Sequence, residues 1–201
     1  MDKKEIILLL IKSNQKPIVG TTRLQKLLFL VEKELGIKAE NDGFKFEAYK
    51  YGPASKGLYD DLDFLNLIGY IQKSDDKEQL VNLNIDELDN YTANMFLSEN
   101  SSTSDKIIIP KEDSEEGFII IPKKDCEEGI PFDESDSVVY RITENGIKYL
   151  KDNNLSESNE SKSFSELTKK YNNYSITSLL QYVYRNYPDY TGESEIKDNI
   201  L

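Results

Sequence analysis

The sequence contains no histidine. That absence removes Ser-His-Asp and Cys-His nucleophile systems, imidazole general acid–base catalysis and nearly every zinc site. Cysteine occurs once, at Cys126, which excludes an internal disulfide framework and suits a reducing cytoplasm. Its neighbours Asp125, Glu127 and Glu128 disfavour the thiolate, so Cys126 is a poor nucleophile. No Gly-rich phosphate loop of the Walker or dinucleotide type is present. The longest apolar run near the start, Ile6 to Ile11, is far below the ~20 residues of a bilayer span. No small-residue cleavage site follows it, so it reads as fold, not as a signal peptide. These absences together point to a non-catalytic cytoplasmic protein without metal, cofactor or membrane anchor.

What is present is acid, unevenly placed. The net charge is −12, yet residues 1–83 carry 13 acidic and 13 basic side chains. Residues 84–137 carry 15 acidic and 4 basic, and residues 138–201 carry 9 and 8. Within the acidic segment Ile107-Ile108-Ile109-Pro110-Lys111 recurs as Ile119-Ile120-Ile121-Pro122-Lys123, each copy followed by an acidic stretch ending in glycine. Two copies are too few for a solenoid. The isoleucine cores favour strands and the acidic stretches resist burial, so a β-hairpin on a wing or a loose arm is expected.

The rest of the chain reads as alternating helices and short strands. Residues 2–13 form a first helix with Ile6, Leu9 and Leu10 on one face, and residues 14–20 a connector. A second helix opens at Thr21 or Thr22, with Thr22 and Gln25 as a capping box, and ends at Gly36. Phe44, Phe46 and Ala48 alternate with polar residues, a strand pattern. Pro53 after Gly52 is placed as an early residue of a third helix, whose stripe is Leu58, Leu62, Leu65 and Ile68 and whose stop is Gly69. Strands follow at Tyr70–Ile71 and at Val138–Ile142, then a helix over 144–150 capped by Thr143. The Ser-, Glu- and Asn-rich residues 155–165 read as a linker. Residues 166–201 hold a docking helix capped by Ser175, with Leu179, Leu180, Val183 and Tyr184, ended by Pro188. Tyr171, Tyr174, Tyr182, Tyr184, Tyr187 and Tyr190 crowd this tail, either as packing residues or as a partner-facing surface.

Three segments, Arg23–Leu30 (RLQKLLFL), Phe46–Pro53 (FEAYKYGP) and Leu58–Leu62 (LYDDL), together with Leu179–Tyr184 and Tyr187–Tyr190, resemble the Panacea (SocA-like) antitoxin domain and the related YwgA-like proteins. The resemblance covers about 1–72 and 138–195 and contains no catalytic motif. It implies a mostly helical α+β, winged-helix-like fold and antitoxin or adaptor work, in which the domain binds a protein partner such as a toxin. The expected organisation is a core of 1–83 plus 138–154, with the acidic insertion 84–137 departing from the family pattern at the wing.

The candidate partner-binding residues are Tyr51, Lys56, Tyr59, Asp60, Asp63, Tyr182 and Tyr187. The alternative reading is a transcriptional regulator that binds DNA as a homodimer, with Arg23, Lys26, Lys45 and Lys50 as phosphate contacts. The third helix argues against it, since Lys56 stands before Asp60, Asp61 and Asp63. Those three aspartates splay apart on a helix and read as a solvated face, not a cation site. A further alternative makes the acidic arm a phosphate mimic in a partner's basic groove.

Overall fold

The computed structural model describes residues 1–14, 16–40, 43–74, 106–110, 118–122 and 138–197. Among them are six α-helices: α1 (Lys3–Ser13), α2 (Thr21–Glu34), α3 (Gly57–Leu67), α4 (Glu144–Asp152), α5 (Asn159–Tyr171) and α6 (Ile176–Asn186). The core sheet has three antiparallel strands, β1 (Ile18–Val19), β2 (Ile71–Ser74) and β5 (Val139–Ile142), in the order β1-β5-β2. The architecture is mostly helical α+β.

α1 starts at a complete capping box. Asp2 accepts from the Glu5 backbone N–H at 2.9 Å, and the Glu5 carboxylate accepts from the Asp2 N–H. The six residues Ile6 to Ile11 that follow are all buried. Six consecutive helical positions span more than a full turn, so α1 has no solvent face and is not the one-sided helix its spacing suggests. It is enclosed by α2, α3 and β5, α4 and α5.

β5 is the central strand. Ile18 faces Tyr140 on one side, and Ile71 faces Ile142 on the other. The strand expected at 138–142 therefore pairs with the segment after Gly69, and the two parts of the core are one body. The connector 14–20 contributes β1, a strand the sequence pattern did not suggest because two residues carry no periodicity. Thr143 caps α4 through its Oγ1, which accepts from the Gly146 N–H and donates to the Gly69 carbonyl at 2.6 Å. Gly146 lies so close to β2 that a Cβ there would sit 2.2 Å from the Tyr70 carbonyl oxygen.

Four local expectations are corrected. The Thr22–Gln25 capping box does not form; α2 begins after Gly20 without a side-chain cap. Residues 44–49 are not a strand, because Lys45 takes a positive φ of 52° and, among the described residues, they form a single bridge, Glu47 to Ala54. Pro53 lies in the loop before α3, not in the helix. The expected linker 155–165 is largely α5: Ser158 accepts from the Ser161 N–H at 3.1 Å, and Phe164, Leu167, Thr168 and Tyr171 are buried at helical spacing. Its Ser-rich composition hid that stripe. The Thr168 hydroxyl donates to the Ser13 carbonyl at 3.0 Å, tying α5 to the end of α1.

Two further strands, β3 (Lys106–Pro110) and β4 (Phe118–Pro122), pair antiparallel with Ile108 opposite Ile120. They contain the two isoleucine repeats. Cys126, the acidic stretches of the repeat and the remainder of the insertion lie outside the described residues, and the expected position of the arm at a wing lies there too.

Two expectations follow. Ser74 and Val139 are register partners, so Asn-Gly followed by Val138 makes a three-residue loop that can close β2 onto β5. Replacing residues 75–137 by Asn-Gly should preserve a single cooperative thermal transition; a non-cooperative melt would make the insertion part of the core. Gly146→Ala should lower stability by roughly 2–3 kcal/mol, because a backbone carbonyl cannot yield to the new methyl. A shift of the urea midpoint at unchanged slope measures it.

Candidate interaction surfaces

Three polar residues of α2, Gln25, Lys26 and Glu32, are spent on the loop that follows it. Gln25 clasps Ser55, accepting its N–H at 2.7 Å and donating to its carbonyl at 3.4 Å. Lys26 is only 2% exposed and donates to the Pro53 carbonyl at 3.0 Å. Glu32 accepts from the Phe44 N–H at 2.8 Å. These bonds, together with a tight turn in which Tyr49 and Gly52 exchange backbone hydrogen bonds, replace the ladder that the alternating pattern suggested. Gly52 has φ +80°, and a Cβ there would lie 2.6 Å from the Tyr184 ring, so the Gly52-Pro53 corner is seated on α6.

This geometry decides the candidate phosphate contacts. Arg23 is 7% exposed, and its guanidinium donates to the Tyr174 carbonyl at 2.8 Å. Arg23 and Lys26 are thus internal struts, not surface cations. Lys45 and Lys50 are exposed, and Lys50 pairs with Glu195 at 3.2 Å. The four residues do not form one basic face.

Tyr171, Tyr182, Tyr184 and Tyr190 pack their rings in the tail and turn their hydroxyls to polar partners. Glu34, at the end of α2, accepts from the hydroxyls of Tyr171 and of Tyr182 (2.8 Å) and pairs with Lys170 at 2.9 Å. The Lys170 ammonium lies 4.8 Å from the centre of the Tyr171 ring and 5.4 Å from that of Tyr182. Burial works against the Glu34 charge, but Tyr171, Lys170 and Tyr182 outweigh it and hold the carboxyl below its ordinary range. Burial and the Glu34 bond push the Tyr171 phenol up. Nearby, Phe29 meets Tyr187 at 5.1 Å and Tyr190 at 4.9 Å, both edge-on. Buried Tyr184 shares a hydrogen with Ser194 at 2.7 Å, and burial pushes its phenol up to about 12. Tyr182 and Tyr187, both candidate partner contacts, are half-buried in this α2–α6 seam, and Tyr51 is half-buried against the core.

α3 differs from the other helices. Leu58, Leu62 and Leu65 are buried, whereas the outer side exposes Tyr59, Asp60, Asp63, Phe64 and Leu67. Leu67 is 83% exposed. Ile68, expected in the buried stripe, is exposed because the helix ends at Leu67 and Ile68 turns away into the Gly69 stop. Asp61 pairs with Lys4 at 3.4 Å and Asp63 with Lys73 at 3.1 Å, and the Lys4 ammonium also lies 5.2 Å from the Phe64 ring centre. Lys56, just before the helix, pairs with Glu47 at 3.7 Å. Among the described residues no group of three acidic or cysteine side chains is arranged to hold a metal ion. Among them too, no helix is long and apolar enough to cross a membrane.

Of the candidate partner contacts, the structure brings together Tyr59, Asp60 and Asp63 on α3, with Lys56 at its start. Tyr51, Tyr182 and Tyr187 belong to the packed seam. Sequence reasoning passed over Phe64 and Leu67. Their signal was readable: at 100° per residue Leu67 lies directly opposite Leu58, an apolar residue on the polar side. It also passed over Glu34, whose partners are more than 130 residues away in the chain and leave no local mark.

No family model, curated protein or solved structure matches the chain.

Glu34→Gln should cost about 1–2 kcal/mol at neutral pH by weakening charge-assisted bonds. A depressed folded-state pKa contributes stability above the unfolded value of about 4.3 and loses it as pH falls through the folded value. The gap between wild type and variant should therefore narrow between pH 5 and pH 2. Urea midpoints across that range read it; a gap independent of pH would mean that Glu34 acts through packing alone.

Proposed function

We propose that this protein is a non-catalytic, cytoplasmic, antitoxin-like or adaptor protein that binds a protein partner through a winged-helix-like core. The order helix, strand, helix, helix, strand, strand over α1, β1, α2, α3, β2 and β5, with β5 between β1 and β2, supports the winged-helix reading. In that reading the acidic insertion occupies the wing between β2 and β5, and α3 stands where a helix-turn-helix presents its recognition helix. The resemblance of Arg23–Leu30, Phe46–Pro53 and Leu179–Tyr184 to the Panacea (SocA-like) domain supplies the antitoxin part.

The observation that carries the choice of partner is the outer side of α3. A DNA reader meets phosphates there with Lys and Arg. α3 contains neither, and shows Asp60, Asp63, Phe64 and Leu67 to solvent. Of the three cations on α2, Arg23 and Lys26 are buried, and Lys33 donates to the Tyr190 hydroxyl at 2.9 Å. Exposed apolar side chains rimmed by carboxylates suit a protein surface and repel a polyanion.

Co-expression with the product of the adjacent gene, followed by purification at 0.5 M salt, tests the reading. A stoichiometric complex is expected. Titration against DNA from upstream of its own gene should give no sequence-selective binding at physiological salt. Selective submicromolar binding, weakening steeply as salt rises, would favour the regulator instead.

A further inference from the structure

We infer that the outer side of α3 docks a basic amphipathic helix of the partner, an inference that rests on the protein-binding reading above and assigns it a site and a chemical class. With Leu58, Leu62 and Leu65 buried, the opposite line of α3 runs through Asp60, Asp63, Phe64 and Leu67, and Ile68 borders its end. A lone exposed leucine is ordinary. Here Phe64, Leu67 and Ile68 stand at spacings of three and four, so they form one apolar strip, with the carboxylates of Asp60 and Asp63 one turn before it. Apolar centre and charged rim is the composition of a docking face for an amphipathic helix.

Charge selects the occupant. Asp60 makes no ion pair among the described residues, and α3 has no cation of its own to neutralise it. A second copy laid on this helix about a two-fold axis would set Asp60 and Asp63 against their own counterparts. The chain's own residues 84–137, with 15 acidic and 4 basic side chains, are repelled in the same way. Nucleic acid and anionic lipid are polyanions and fare no better. A helix with leucines on one side and Lys or Arg beside them matches both halves of the face: its apolar side covers Leu67 and Phe64, and its cations reach Asp60 and share Asp63 with Lys73. In such a contact the apolar strip provides affinity and the charges provide orientation and choice of partner.

Fluorescence anisotropy on the full chain tests this with a labelled Leu/Lys amphipathic peptide of about 14 residues, roughly four turns. Micromolar binding is expected, weakened about tenfold or more by Leu67→Ser and by Asp60→Lys/Asp63→Lys, and absent for the same peptide with Glu in place of Lys. Leu67 is exposed, so circular dichroism melts of Leu67→Ser should match wild type and exclude unfolding as the cause. Equal binding by the variants, binding of the acidic peptide, or no binding of the basic one would overturn the inference. A concentration-dependent dimer lost in Leu67→Ser would overturn it in favour of a second copy. If the co-expressed partner is retained undiminished by Leu67→Ser, this site falls while the protein-binding function stands; if no partner is retained by wild type, the function itself falls.

Discussion

A helix that cannot face water organises this protein. Ile6 to Ile11 surround α1 with aliphatic side chains, each worth about 1.5–3 kcal/mol when fully buried. Leaving half of them exposed would forfeit an amount comparable to the ~5–15 kcal/mol that separates folded from unfolded domains. The first part of the chain supplies α2, α3 and β1, which is not enough to close round α1. β5, α4 and α5, arriving after the insertion, complete the enclosure. The chain is therefore free to carry 54 residues of acidic insertion between two parts of the core, because burial of α1 reunites them.

The second constraint is the economy of charge on α2. Arg23, Lys26, Glu32 and Glu34 all sit on a helix whose apolar residues face the core, and each is committed to the backbone or side chains of another segment. A buried lysine or arginine is tolerated only when hydrogen-bonded, and the Pro53 and Tyr174 carbonyls meet that requirement. Arg23 and Lys26, which the sequence offers as phosphate contacts, instead hold the tail and the Gly52-Pro53 corner in place.

The tail is held by a node and not by a stripe alone. Leu179, Leu180 and Val183 are buried as their spacing suggests, but the orientation of α5 and α6 at the end of α2 is set at Glu34, where two phenols and an ammonium converge. Three donors around one partly buried carboxylate compensate its lost hydration. Tyrosine suits such a seam because its ring packs while its hydroxyl reaches the charge.

The sequence by itself determined the element type of several helices: α1 and α3 from their apolar residues at helical spacing, and α4 and α6 from Thr143 and Ser175 as caps. It also determined the exclusion of imidazole chemistry and the concentration of acid in one segment, since both are matters of composition. Tertiary structure decided the rest. Residues 44–49 alternate like a strand, yet Gln25, Lys26 and Glu32 take their backbone partners or their neighbours' and Lys45 bends them away. Residues 155–165 look like a linker, yet α1 needs a cover and Phe164 and Leu167 provide it. Arg23 and Lys26 look like surface cations, and only the carbonyls of Tyr174 and Pro53, 151 and 27 residues distant, make them internal. Local pattern reports what a segment can become; which of its polar groups remain for a partner depends on contacts that no local window contains.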